Sequence, residues 1–312
     1  MTGVKAMAFA VLAILLSIHA SAGAAGMLVD YPAMKSVYVG SVHVIVWLPP
    51  DYQAGTGRYG VLYMQDGQNL FDLAPTRANW PAAKVWGVDN AISALGERIR
   101  PVIVVAVDNM GSQRARQYVP RAVFDRLPEA AQKLLIAQYG GAPFSDDYLH
   151  FLVKELKPFV DRTYRTEPGR DSTFVMGSSM GGLISLYAMT EYPEVFGGAG
   201  CLSTHWPLAV PGGAVLDAGA VENAFLDYLR PRLTQDHRIW FDHGTEGLDA
   251  SYAPYQRRID DLMVSMGWRR GREFESMTYV NASHDETAWR ARLVEPLLFL
   301  LGRKREHLGA SE

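Results

Sequence analysis

The stretch Phe174-Val175-Met176-Gly177-Ser178-Ser179-Met180-Gly181-Gly182-Leu183 limits what this chain can fold into more than any other. An apolar run meets a Gly-x-Ser-x-Gly pentad, and an amphipathic segment follows. That succession reads as strand, sharp turn and helix, the context in which such a pentad holds a serine on a strained elbow at the edge of a sheet. Gly177 and Gly181 stand two residues either side of Ser179, where side chains would crowd so tight a turn. The pentad is short enough to arise by chance. Its meaning rests on whether the rest of the chain supplies a base, an acid and an anion-binding loop in the matching order.

The surrounding pattern agrees with an α/β protein. Residues 36–48 alternate and are rich in β-branched side chains, which predicts an antiparallel strand pair turning near Gly40-Ser41; His43 lies inside it and reads as a paired strand residue rather than a base. Gly60 to Met64 and Pro101 to Val107 are short apolar runs of the kind a buried parallel strand shows. Residues 85–98 read as a helix between them. Further strands are expected at Thr173–Met176, Gly197–Leu202, Arg238–Asp242 and Phe274–Val280. Helices are expected from Ser145, after the elbow to Tyr192, from Tyr252 to Met266 and from Glu286 to Leu301. This alternation predicts an α/β protein with a mostly parallel central sheet and helices on both faces. Residues 111–145, with one helix from Glu129 to Tyr139, exceed a minimal crossover. They read as an insertion that caps a site or as a surface excursion with solvated arginines.

Composition narrows the setting. Of 312 residues, 48% are apolar and 20% charged, ordinary values for a chain with a sizeable core, and the net charge of −3 with no long basic run argues against nucleic acid as a partner. Lys5, the apolar run Met7 to Ile18 and Ala20-Ser21-Ala22 have the three parts of a secretory signal peptide, so residues 1–22 are expected to be removed, leaving one domain over 23–312. The run falls short of the ~20 residues needed to span a bilayer, so stable membrane insertion is not expected after cleavage, and the predicted location is periplasmic or secreted. Cys201 is the single cysteine, which rules out an internal disulfide and reads as a buried, inert thiol. No His/Cys cluster has metal-ligand spacing and no Gly-rich loop has a phosphate-binding pattern, so neither metal nor cofactor is expected.

A serine hydroxyl is a weak nucleophile at neutral pH and needs a base, which in turn needs an acid to orient it. The expected chain order is Ser, Asp/Glu, His. His284, in Tyr279-Val280-Asn281-Ala282-Ser283-His284-Asp285-Glu286, sits on the loop between the last strand and the last helix and is the candidate base. After the strand ending near Asp242, the loop Gly244-Thr245-Glu246-Gly247-Leu248-Asp249 offers two carboxylates: Asp249 is the first choice of acid and Glu246 the alternative. For the oxyanion, the Met180 N–H follows the candidate nucleophile, and the Gln68 N–H lies on the Asp66-Gly67-Gln68-Asn69 loop that leaves an earlier strand. Asn109, Arg114, His205 and Trp206 follow strands and are candidate substrate contacts, with a packed aromatic an equal reading of His205 and Trp206. Trp80 and Trp86 read as core or rim.

With these pieces placed, the chain resembles the "Putative esterase" family of α/β hydrolases, which includes esterase D-like, enterochelin-esterase-like and feruloyl-esterase-like enzymes and secreted mycolyltransferases. The carriers are residues 62–71 (Leu-Tyr-Met-Gln-Asp-Gly-Gln-Asn-Leu-Phe), residues 177–182, Gly244-Thr245-Glu246, and Ser283-His284-Asp285-Glu286 with Trp289, so that the resemblance covers roughly 36–302. It implies Ser179 as nucleophile and His284 as base, with the acid in the loop after Gly244. The expected activity is hydrolysis of a small-molecule carboxylic ester through an acyl-enzyme, on an acylated carbohydrate, a siderophore ester or a small acyl ester. An acyltransferase using the same residues is the alternative, and a non-catalytic binding module on this fold is a third reading. Oligomeric state is not readable from the sequence.

Overall fold

The computed structural model describes residues 18–19, 26–71, 84–213 and 215–303. Most of the expected leader therefore lies outside the described residues, as does Trp80. Within the leader, only Ile18–His19 are described, forming a two-residue strand, β1, against Val29 and Leu28.

Eight further strands complete one sheet: β2 Met27–Ser36, β3 Gly40–Leu48, β4 Gly60–Gln65, β5 Val102–Val107, β6 Thr173–Ser178, β7 Gly198–Leu202, β8 Arg238–Gly244 and β9 Phe274–Tyr279. Their order is β1-β2-β3-β5-β4-β6-β7-β8-β9. β3 runs antiparallel to both β2 and β5, while β5, β4, β6, β7, β8 and β9 are parallel to one another. The sheet is therefore mostly parallel, as the sequence predicts. The antiparallel pair is longer than predicted: its first strand begins at Met27, and the turn falls at residues 37–39, just before Gly40 at φ +82°. Pro32 and a bulge between Tyr31 and Met34 break the period-two pattern of β2, which is why its alternation cannot be read.

Helices cover both faces. They are α1 Val88–Leu95, α2 Arg114–Tyr118, α3 Arg121–Phe124, α4 Glu129–Tyr139, α5 Ser145–His150 continuing through a π-helical stretch Phe151–Leu156 into α6 Lys157–Thr163, α7 Met180–Glu191, α8 Ala218–Leu229, α9 Ala253–Ser265, α10 Glu286–Arg292 and α11 Val294–Leu301. Successive strand residues point to opposite cores. Val44, Val46 and Val175 pack on one side with Leu183, Ile184 and Phe225, whereas Ile45, Trp47, Phe174 and Met176 pack on the other with Ile92, Leu297 and Leu300. Cys201 is fully buried in the first core, where burial pushes its thiol pKa up.

The helix after the elbow differs from the amphipathic segment expected. From Met180 to Thr190 every residue of α7 is buried, because residues 111–145 form a packed layer over it. Tyr118, Val123, Phe124, Leu135 and Tyr139 of that layer join the core, and the Tyr139 hydroxyl donates to the Leu208 carbonyl at 2.6 Å. A helix hidden on all sides needs no polar face.

Candidate active site

In an open α/β sheet, sites form beyond the carboxyl ends of the strands, where strand order reverses. Here β5 lies on one side of β4 and β6 on the other, so the loops leaving β4 and β6 meet at such a point. Ser179 caps α7 at φ 57°, ψ −124°, a left-handed backbone that non-glycine residues rarely adopt. It persists because its surroundings over-determine it: the Ser179 N–H donates to the Leu202 carbonyl at 2.9 Å, and the Ser179 carbonyl accepts from Gly182 at 3.0 Å and from His205 at 3.2 Å. The tight fit explains the glycines. A Cβ on Gly177 would lie 2.7 Å from the Gly181 carbonyl carbon and oxygen.

The neighbouring strands β7, β8 and β9 lead to Ser203, Asp249 and His284. Asp249 lies on a 3-10 turn, Gly247–Ser251, and is fully buried. Its Oδ1 is 2.6 Å from His284 Nδ1, and its Oδ2 accepts from the Ser203 hydroxyl and from the Gly244 N–H, each at 2.6 Å. Burial alone would raise the Asp249 pKa, but the bonds from His284, Ser203 and Gly244 outweigh it and hold the carboxyl below its ordinary range. An ionised carboxylate only accepts, so the hydrogen of the His284–Asp249 bond sits on His284 Nδ1. The His284 ring is clasped edge-on by Tyr252 (5.6 Å) and Trp289 (5.1 Å). Glu246, the alternative acid, is exposed, and its backbone N–H donates to the Ala282 carbonyl at 3.1 Å. The structure brings Asp249, not Glu246, to His284. Thr245 ties the two loops together, donating through its N–H to the Ala282 carbonyl (3.1 Å) and accepting from Asn281 N–H at its hydroxyl (2.8 Å).

The loop after β4 is a 3-10 turn, Gly67–Asn69, entered through Asp66 at φ 55°. Asn69 and Leu70 close it on the carbonyls of Asp66 and Gly67, and the Gln68 N–H, at the start of the turn, has no intrahelical acceptor. Asp66 is the brace of this loop. Arg114 grips it in a fork at 2.7 and 2.8 Å, and Asn109 Nδ2 adds a bond at 2.6 Å. Desolvation works against the guanidinium charge, but the adjacent Asp66 raises the Arg114 pKa above its ordinary value. Asn109 also donates its N–H to Gln68 Oε1 at 3.2 Å. Thus Asn109 and Arg114, expected to face substrate, are engaged in holding the loop after β4. Asn69 Nδ2 reaches Glu286 at 3.2 Å and links that loop to the one carrying His284.

His205 and Trp206 do not line an open pocket. Trp206 is 1% exposed, packs edge-on against Phe225 and donates to Gln256 at 3.0 Å. His205 is buried, with Nε2 on the Ala209 carbonyl (2.8 Å) and Nδ1 on the Tyr252 hydroxyl (2.6 Å). Burial lowers its pKa to about 4, so it is neutral and shaped to support Tyr252 behind His284. Ser203 and Tyr252 stay unmarked in the sequence, and at Trp206 the packed aromatic rather than the pocket wall is what forms, since a residue on a loop carries no sign of what it packs against. Among the described residues no group of three His, Cys, Asp or Glu side chains is placed to hold a metal, and no helix is long and apolar enough to cross a membrane.

Comparisons with known proteins agree with this architecture. An uncharacterized protein, YbbA, of Bacillus subtilis (strain 168) is 24% identical over 168 residues, which is 54% of this chain and 58% of that relative. Among solved structures, a ferulic acid esterase superposes with a TM-score of 0.61 at 17% identity, covering 88% of this chain and 98% of the other. The enterobactin esterase of Shigella flexneri gives 0.59 at 18% identity over 88% and 59%, respectively. An IroE-like serine hydrolase of Shewanella oneidensis gives 0.61 at 17% identity over 85% and 78%. These likenesses are of fold. The family described as "Putative esterase" matches residues 37–300, and with the β4 loop, elbow and His284 loop arranged as above, the chain belongs to that family.

Proposed function

We propose that this protein is a serine carboxylic ester hydrolase in which Ser179 attacks the acyl carbon, His284 Nε2 takes the serine proton, and Asp249 orients His284 and stabilises its charge. The proton then passes from His284 to the leaving alcohol, and a water molecule, activated by the same imidazole, releases the acyl group from Ser179. The Met180 and Gln68 N–H groups hold the oxyanion: the first stands at the N-terminus of α7, the second on the turn that Asp66, Arg114 and Asn109 brace. The observation that carries the reading is the fully buried Asp249 held to His284 at 2.6 Å, on loops at the same carboxyl edge of the sheet as a serine at φ 57°. Membership of the esterase family supports it, as do the named activities of the ferulic acid and enterobactin esterases that share the fold. The substrate class we favour is a small ester of a carbohydrate, a siderophore or a simple alcohol, met in a periplasmic or secreted setting after removal of residues 1–22.

A fluorophosphonate probe tests the nucleophile. Wild type is expected to be labelled at Ser179 and to hydrolyse at least one member of a panel of short acyl, feruloyl, acetyl-sugar and siderophore esters. Both properties should vanish in Ser179→Ala. Labelling that survives this substitution rules out the assignment.

A further inference from the structure

Behind Asp249 lies a second layer of polar groups that the reaction itself does not use. Ser203 follows β7 directly and adopts φ 41°, a left-handed conformation unusual for serine. Its N–H donates to the Asp242 carbonyl at 2.8 Å and to Asp242 Oδ1 at 3.2 Å. Its oxygen lies 3.0 Å from Trp289 Nε1, 2.8 Å from Arg292 Nη2 and 2.6 Å from Asp249 Oδ2. Arg292 is buried and paired with Asp242, at 3.2 Å from Nε and 2.9 Å from Nη2, while Trp240 Nε1 fills Asp242 Oδ2 at 2.9 Å. The guanidinium also lies over the Tyr279 ring, with Cζ 4.9 Å from its centroid.

Hydrogen counting gives this cluster a direction. A serine hydroxyl has one hydrogen and two lone pairs, whereas an indole N–H and a guanidinium N–H can only donate. Trp289 and Arg292 therefore occupy both lone pairs of Ser203, and its one hydrogen is left for Asp249 Oδ2. Arg292 adds a second effect. A cation donating to the hydroxyl polarises it and strengthens its outgoing bond to the carboxylate. The Asp242–Arg292 pair keeps the buried cation compensated.

We infer that Ser203, saturated by Trp289 and Arg292, is a positioning residue that fixes Asp249 as a pure acceptor and so sets the His284 tautomer with hydrogen on Nδ1 and a free lone pair on Nε2. The inference rests on the esterase reading of Ser179, His284 and Asp249. It adds Ser203, which follows β7 and reaches His284 through Asp249, and two residues of α10 that hold Ser203, Trp289 also packing edge-on against the His284 ring. The charged groups around His284 include Asp249 itself, the Asp242–Arg292 pair, Asp285 and Glu286 at the start of α10, and the Asp66–Arg114 pair. Ser203 is the side chain that bonds to the far oxygen of the acid, beside the backbone N–H of Gly244.

The variant that separates positioning from folding is Ser203→Gly. Glycine accepts a positive φ more readily than serine does, so the turn is expected to keep its backbone while losing the hydroxyl. Trp289→Phe is the companion, since it keeps an aromatic ring against His284 and removes one donor to Ser203. With p-nitrophenyl acetate as probe, Ser203→Gly is expected to lower kcat by about ten- to hundredfold, by analogy with loss of the hydrogen-bond partners that stand behind metal-bound histidines, with KM little changed. The acid limb of the kcat/KM profile should move to higher pH. An Asp249 with one donor fewer presents more uncompensated negative charge to His284 and favours the imidazolium. The downfield His284 Nδ1 proton resonance, identified by its loss in His284→Gln, should shift or broaden. Trp289→Phe should show the same changes at smaller size. Wild-type kcat, pH profile and proton resonance in folded Ser203→Gly overturn the inference. If hydrolysis persists in Ser179→Ala, the esterase reading falls instead. The resonance still reports on the Ser203–Asp249–His284 chain in that case, and the two failures stay distinct.

Discussion

At the residue scale, the acid is decided by where two carboxylates three positions apart come to rest. Glu246 points to water, whereas Asp249 is sealed against His284, Ser203 and the Gly244 N–H. Asp249→Asn keeps the shape but replaces an acceptor with an amide that can impose the wrong imidazole tautomer. On the proposed mechanism the expected loss in kcat is on the order of 10⁴-fold, as for the acid of a serine triad. Glu246→Gln should leave turnover close to wild type, and steady-state kinetics on the two variants compare them directly. Ser179 and His284 were legible in the sequence because motif and chain order mark them. The choice between Glu246 and Asp249 was not, since it depends on the path of a short turn. The donors that hold Asp249 come from Gly244, from Ser203 after β7 and, at one remove, from Trp289 and Arg292 on α10, which no local pattern connects.

At the scale of an element, the turn after β4 shows how a backbone donor is placed. Gly67 packs directly onto the end of β5: a Cβ there would lie 2.8 Å from the backbone carbons of Ala106 and Val107 and from Asp108 Oδ1. Gly67→Ala must therefore push the 3-10 turn away from the sheet and carry the Gln68 N–H with it. The expected result is a fall in kcat toward the roughly 10²–10³-fold loss that follows removal of one oxyanion donor, with a smaller change in KM. The position of this loop was readable as a polar break after a buried strand. Its bracing was read differently. Asn109 and Arg114 looked like substrate contacts because they follow β5 at the carboxyl edge, but an αL aspartate with open acceptor sites captures both. The same contrast holds for α7, whose sequence suits a helix but whose burial on all faces depends on the layer formed by residues 111–145.

At the scale of the whole molecule, the antiparallel edge is joined to the parallel sheet by a charged clamp as well as by strand pairing. His43 on β3 lies between Asp30 on β2 (Nε2–Oδ1, 2.5 Å) and Asp108 after β5 (Nδ1–Oδ2, 2.9 Å). Both partners are acceptors, so both ring nitrogens donate, and the imidazolium form is favoured. The Asp108 hydrogen bond, more than offsetting burial, raises the His43 pKa. A raised folded-state pKa stabilises the fold fully below the unfolded value of about 6.5, and the contribution is lost as pH climbs through the folded value. Urea denaturation of wild type and His43→Gln should therefore differ most at mildly acidic pH, and the gap should close as the solution becomes basic; a gap that widens with pH contradicts this clamp. The sequence by itself determined the α/β class, the parallel run from β4 to β9 and the placing of Ser179 on the turn after β6 and of His284 on the loop after β9. Those depend on short-range hydrophobic periodicity and on a strained turn that only certain residues can make. Tertiary structure alone decided that Asp249 rather than Glu246 meets His284, that Asn109 and Arg114 serve Asp66, that Trp206 belongs to the core, and that Ser203 stands behind the acid. Each of these depends on which loops the sheet order brings side by side, and hydrogen-bond partners far apart in the chain leave no periodic trace in it.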